Sequence, residues 1–215
     1  MVELVYLVLI ATVAVGLGLT LLRRVGPICS SRAEELTFSL GLGLGGLALS
    51  MLLLGFAHLL YIEAFYAVLA LGVVWGRKEL VGLVGRLQGR LAIASFNWRS
   101  FHFWLLLLIV IGLALNLLRA LMPAHGAVDP LAYHLALPKI YLLRHYISFE
   151  RTLTGGLYPD NIGMLYLLAI ALRGAALAQV LHWFMGAITV FAIWCFCRGY
   201  FDGKVGIWAA AIYAF

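Results

Sequence analysis

Long stretches of this chain are almost wholly apolar, and the charges are confined to the gaps between them. Val2 to Leu22, Leu36 to about Phe56, about Ala57 to Trp75, Phe101 to about Leu121 and Ala175 to Phe196 each approach the roughly 20 residues with which a helix crosses a bilayer. Hydrocarbon offers no partner to a backbone N–H or C=O, so such runs must pair those groups internally, as helices do. An all-α, polytopic transmembrane bundle is therefore the expected fold. Composition agrees: 65% of residues are hydrophobic and 11% charged, against about 25% charged in soluble domains. So few polar residues cannot clothe a water-facing surface.

The formal charge is +6. No basic stretch is interleaved with aromatics on a polar face, so nucleic acid is set aside as a partner. The bilayer is the partner that the basic residues imply, because they flank the apolar runs and orient them. If the first four spans alternate sides, the loop Arg23 to Arg32 and the segment Gly76 to Ser100 share one side. They hold Arg23, Arg24, Arg32, Arg77, Lys78, Arg86, Arg90 and Arg99. The positive-inside rule makes that side cytoplasmic, which leaves the N-terminus and residues 122–161 outside. A multi-pass protein of the plasma (inner) membrane is the expected location. The first run starts with Glu3 and lacks a basic lead, so it is not read as a cleaved signal.

The expected organisation has three parts. Residues 1–75 form three transmembrane helices, the second and third joined by a tight hairpin near Gly55 to His58. Residues 76–100 form a separate amphipathic helix, with Leu80, Leu83, Val84, Leu87 and Leu91 on one side and Lys78, Arg86 and Arg90 largely on the other. Such a helix lies on a membrane surface. Residues 101–215 hold a span, a polar external stretch over 122–161, and further apolar runs. Ile162 to Leu172 is too short to cross upright and reads as a partial or interfacial helix. If it does not cross, Arg198 and Lys204 join the other basic residues inside. Val205 to Phe215 is shorter than a span, so the chain is expected to continue past Phe215.

Gly41 to Gly46 reads GLGLGG but follows no strand, so it is a helix-packing surface rather than a phosphate loop. Cys29, Cys195 and Cys197 show neither a CxxC pair nor metal-ligand spacing. No metal-ligating residues are singled out. His58, Glu63 and Asn116 lie in or near spans, where polar groups suggest a transport pathway, but no inverted repeat accompanies them.

The external stretch carries the chemistry. Asp129-Pro130 suits a helix start, since aspartate caps free amides and proline fits the first turn. The helix is expected to run to about Tyr146, kinked at Pro138, with His134, Tyr141 and His145 near one face. Lys139 and Arg144 add positive charge, and Arg119 ends the preceding span. Tyr158-Pro159-Asp160-Asn161 offers a second start. Both aspartates could be caps alone. An acid followed by cations on a surface helix also suits a lipid phosphate, the acid as base and the cations on phosphate.

The run DPLAYHLALPKIYLLRHYI, Asp129 to Ile147, resembles the GT-C fold membrane glycosyltransferases, in the superfamily of protein mannosyltransferases and aminoarabinose transferases. The stretch YPDNIGMLYLLAIAL, Tyr158 to Leu172, is similar to the helix that follows in that family. The resemblance covers about Phe101 to Phe215. It implies transfer of a sugar from a polyprenyl-phosphate carrier to an acceptor outside the cytoplasm. It implies Asp129 as the catalytic acid/base or metal-linked residue; beside it, Lys139, Arg144 or Arg119 would supply positive charge to the leaving phosphate, with His134 and Tyr141 as further substrate-binding candidates. The cofactor stays open, a divalent metal included. Many members carry a second acid where this chain has Pro130. That departure favours the alternative, a non-catalytic subunit packed against other membrane subunits.

Overall fold

Polar caps and end charges fix where the helices begin and stop. Ser31 Oγ accepts the N–H of Glu34 at 3.2 Å, opening a helix with Glu34 and Glu35 in its first turn. Asp202 Oδ1 accepts the N–H groups of Lys204 and Val205, both at 2.8 Å, opening another. The first helix has Glu3 in its first turn and Arg23 and Arg24 in its last, each charge complementing the helix dipole. The computed structural model describes residues 2–26, 29, 31–87, 98–122, 134–149 and 161–215.

Among these residues there are eight helices and no strand: α1 Val2–Val25, α2 Arg32–Phe56, α3 Ile62–Leu87, α4 Phe101–Ala120, α5 Ala136–Arg144, α6 Asn161–Arg173, α7 Ala175–Tyr200 and α8 Gly203–Ala214. Four of them, α1, α2, α4 and α7, are long and apolar enough to cross a membrane. The chain is a multi-pass helical membrane protein. Within these helices Thr12, Thr20, Thr37, Ser39, Ser50 and Thr189 each donate to the carbonyl four residues earlier. Asn116 does the same to Gly112 O at 3.0 Å. Each polar group is thereby satisfied by its own helix, where lipid offers no partner.

α1 and α2 run antiparallel and touch backbone to backbone. A Cβ on Gly18 would fall 1.7 Å from Ser39 O, and one on Gly43 would fall 1.8 Å from Ala14 O. Of the glycines in Gly41 to Gly46, Gly43 makes this contact, while Gly41 and Gly45 have no atom within 4 Å of a would-be Cβ. Between lipid-bathed helices there is no hydrophobic driving force, so this close packing supplies the attraction.

α3 lies parallel to α1. Tyr6 meets Tyr66 near one end, Gly16 meets Gly76 further along, and Arg23 pairs with Glu79 beyond. α3 therefore shares the depth of α1. It also runs through Gly76 without a break, where a new surface helix was expected to begin. Gly76 is the reason: it packs against Gly16, so it serves the interhelical contact rather than a helix end. Arg86 has no described side chain, and Arg90 lies outside the described residues.

The expected hairpin between α2 and α3 forms over residues 57–61, with His58 at a φ of 60°. α4 packs on α8 and α7, and Trp183 Nε1 of α7 donates to Leu113 O of α4 at 2.8 Å.

α6 is the partial helix among the readings expected for this run, and it is buried: Gly163 through Ala169 are all enclosed, and α6 sits in the main core between α2 and α7. Its C-terminal Arg173 lies 3.9 Å from Glu3, at the hairpin end of the bundle. Its N-terminal Asn161 lines a recess with Gly41, Leu44, Gly45 and Ala48, half-way along α2. Thirteen residues give about 20 Å, so α6 spans only part of the depth. Gly174, at a φ of 99°, then turns the chain directly into α7, a conformation that only glycine adopts freely. α7 returns to the other end, so Arg198 and Lys204 sit there with Arg23, Arg24, Arg32, Arg77 and Lys78.

Candidate functional site

α5 covers Ala136–Arg144 of the helix expected from Asp129 to about Tyr146, and residues 129–133 lie outside the described residues. Pro138 lies in its first turn, where a missing N–H leaves no bond unmade, and it follows a π-helical residue, His134, and Leu135 in the right-handed helical region. Leu137, Pro138 and Tyr141 are buried toward α6, and Lys139, Leu143 and Arg144 are exposed. Arg144 Nη1 donates to Ser148 Oγ at 2.8 Å. The helix ends at His145, whose φ is 63°.

That left-handed residue turns the chain onto the α2–α3 hairpin. Leu60 N–H donates to His145 O at 3.3 Å, and His145 Nδ1 donates back to Leu60 O at 3.0 Å. Ile147 N–H donates to Gly55 O at 3.3 Å. The His145 ring stacks on Tyr61 at 4.1 Å, and His58 stacks on Tyr146 at 4.7 Å. Gly55 is needed here, because a Cβ would fall 2.3 Å from Ile147 Cδ1. The clasp fixes α5 to the end of the bundle that carries Glu3 and Arg173.

His134, just before α5, meets the ring of Tyr166 edge-on at 6.3 Å. Tyr166 OH and His182 Nδ1 are hydrogen-bonded at 2.6 Å. Sequence reasoning missed Tyr166 and His182. The signal was available: they stand equally far on either side of Gly174, so a helical hairpin there brings them level.

The expected site residues therefore separate. His134 and Tyr141 face the core, and Tyr141 is closed off from an external ligand. His145 joins the clasp instead of sharing a face with them. Lys139 and Arg144 are exposed, and Arg119 is exposed in the last turn of α4. Asp129 and Asp160 lie outside the described residues. Among the described residues no three His, Cys, Asp or Glu side chains gather as a metal site.

The recess at the foot of α6 has a volume of about 290 Å³. Gly41 and Gly45 on α2, Met185 and Ile188 on α7, and Ile162 and Leu165 on α6 make it apolar, with Asn161 and Thr189 its polar side chains. Its shape and lining suit part of a hydrocarbon chain. No protein-family model, curated protein or solved structure matches this chain.

Proposed function

We propose that the chain takes part in moving a sugar from a polyprenyl-phosphate carrier to an acceptor at the hairpin end of the bundle. The mid-depth apolar recess between α2, α6 and α7 carries this reading. The long isoprenoid tail of a carrier lies in hydrocarbon, and the exposed Gly41 and Gly45 of α2 leave an open apolar recess that takes part of it. The exposed Lys139 and Arg144 suit its phosphate, since cations stabilise the charge that develops on a leaving phosphate. Asp129 is the general base toward the acceptor hydroxyl, with Arg119 a further cation for the phosphate.

Gly45→Leu tests the recess. No atom lies within 4 Å of a Cβ at Gly45, so the leucine enters empty space and leaves the fold intact. Binding of polyprenyl phosphate, followed by native mass spectrometry, should weaken about tenfold, as expected when about 1.4 kcal/mol of tail contact is lost. Unchanged binding would remove the recess from the account.

One observation favours a second reading. Phe101, Trp104, Leu108, Ile111, Leu115 and Leu118 are all exposed on α4 and recur at spacings of three and four. That stripe matches the seam on which membrane helices pair. A non-catalytic subunit that docks another membrane helix would use it, and would co-purify with that partner in fixed ratio while showing no transfer.

A further inference from the structure

The opposite end of the bundle holds a second recess, of about 420 Å³, lined by Thr20, Val74, Trp75, Arg77, Lys78 and Glu79. The Gly16–Gly76 contact creates it. A Cβ on Gly76 would fall 2.6 Å from Gly16 Cα, so the backbones of α1 and α3 touch there, with the Leu80 side chain packed beside Gly16. Arg23 pairs with Glu79 across the recess, which cancels the acid. The guanidinium of Arg24 rests over Trp75, 5.3 Å from the ring centroid. Among the described residues no acid pairs with Arg24, Arg77 or Lys78. Arg77 and Lys78 thus line the recess with no acid paired to them, and Arg24 lies against its Trp75, a residue type that favours the membrane interface.

We propose that this recess binds the headgroup of an anionic glycerophospholipid. The phosphodiester takes charge-assisted hydrogen bonds from Arg77 and Lys78, with Arg24 behind Trp75 adding positive potential. Thr20 donates its hydroxyl proton to Gly16 O at 2.8 Å, so its oxygen faces the recess as an acceptor for a headgroup hydroxyl. Leu71, Val74 and Trp75 are 66%, 61% and 55% exposed and lie along one side of α3. They give the acyl chains an apolar track leading away from the charged mouth. A zwitterionic lipid brings its own cation into this positive site and is disfavoured. A free inorganic anion satisfies the cations but gains nothing from the track. The same site would lock α1 to α3 and set the bundle's register in the leaflet that holds anionic lipid.

The test is native mass spectrometry of the whole protein in mild detergent, titrated with phosphatidylglycerol and with phosphatidylcholine. The wild type should retain phosphatidylglycerol about tenfold better. The triple variant Arg24→Gln, Arg77→Gln, Lys78→Gln should lose that preference. The control Arg198→Gln, Lys204→Gln removes two charges from the same end and should keep it. If the triple variant does not fold, Lys78→Glu on an exposed side chain should by itself cut the preference about fivefold. Equal loss in the control would show diffuse attraction and overturn the site. So would a preference retained in both recess variants, or displacement of the lipid by inorganic phosphate at equal concentration.

Discussion

Leu60 and His145 hydrogen-bond each other twice, the backbone N–H of Leu60 to His145 O and the ring Nδ1 of His145 to Leu60 O. The pair ties the residues after α5 to the α2–α3 hairpin, across a long separation in sequence. His145→Ala removes the ring bond and the stack on Tyr61, and leaves a Cβ residue at positive φ. It should lower stability in detergent by about 2 kcal/mol, measured by thermal unfolding. His145→Asn, which tolerates that backbone conformation better, should recover part of the loss.

The α1–α2 contact predicts a contrast between neighbouring glycines. Gly43→Val drives a side chain into the Ala14 carbonyl and should cost about 3 kcal/mol or more, or prevent folding. Gly45→Leu should leave the unfolding midpoint within a degree or two, since a change of about 0.5 kcal/mol or less is expected away from contacts. Equal damage from both would mean that the two glycines face the same surface.

Tyr166→Phe deletes the hydroxyl that meets His182 while keeping the ring against His134. A loss of about 1 kcal/mol is expected, the ordinary net value of one buried hydrogen bond. If that pair also holds α6 at its depth, polyprenyl phosphate should dissociate faster from the variant.

The start of α8 should respond to acid. The amides of Val205 and, after it, Lys204 hold the Asp202 carboxyl below its ordinary range. A lowered folded-state value means that the cap contributes fully above the ordinary carboxylate range and is lost as pH falls through the folded value. Protection of the amides of residues 203–206, the observed exchange rate set against the intrinsic rate at each pH, should therefore fall on acidification in the wild type. In Asp202→Ala that protection should be low throughout, with no such step.

Much of the bundle was legible from the runs themselves. α4 was expected from Phe101 to about Leu121 and ends at Ala120. α7 extends past the expected Phe196 to Tyr200, and within the added turn the Arg198 guanidinium lies over Trp194, 5.0 Å from the ring centroid. The grouping of Arg198 and Lys204 with the other basic residues was also legible, from charge alone. What sequence could not show was depth. A short apolar helix reads the same whether it lies on the surface or sits inside, and only contacts with Gly41 to Ala48 place α6. Periodicity likewise could not tell that Gly76 serves Gly16. Lys139 and Arg144 were legible as exposed cations. Tyr141, at the same spacing as a site residue, is a core side chain.

The central claim is sugar transfer that depends on Asp129. The most direct measurement is transfer from a polyprenyl-phosphate sugar in proteoliposomes, comparing the natural protein with Asp129→Asn. The account predicts transfer by the wild type and a loss of at least about a hundredfold in the variant, the usual contribution of a general base, with polyprenyl phosphate still bound. Undiminished transfer by Asp129→Asn would contradict the mechanism, and a wild type that binds no polyprenyl phosphate would contradict the whole reading.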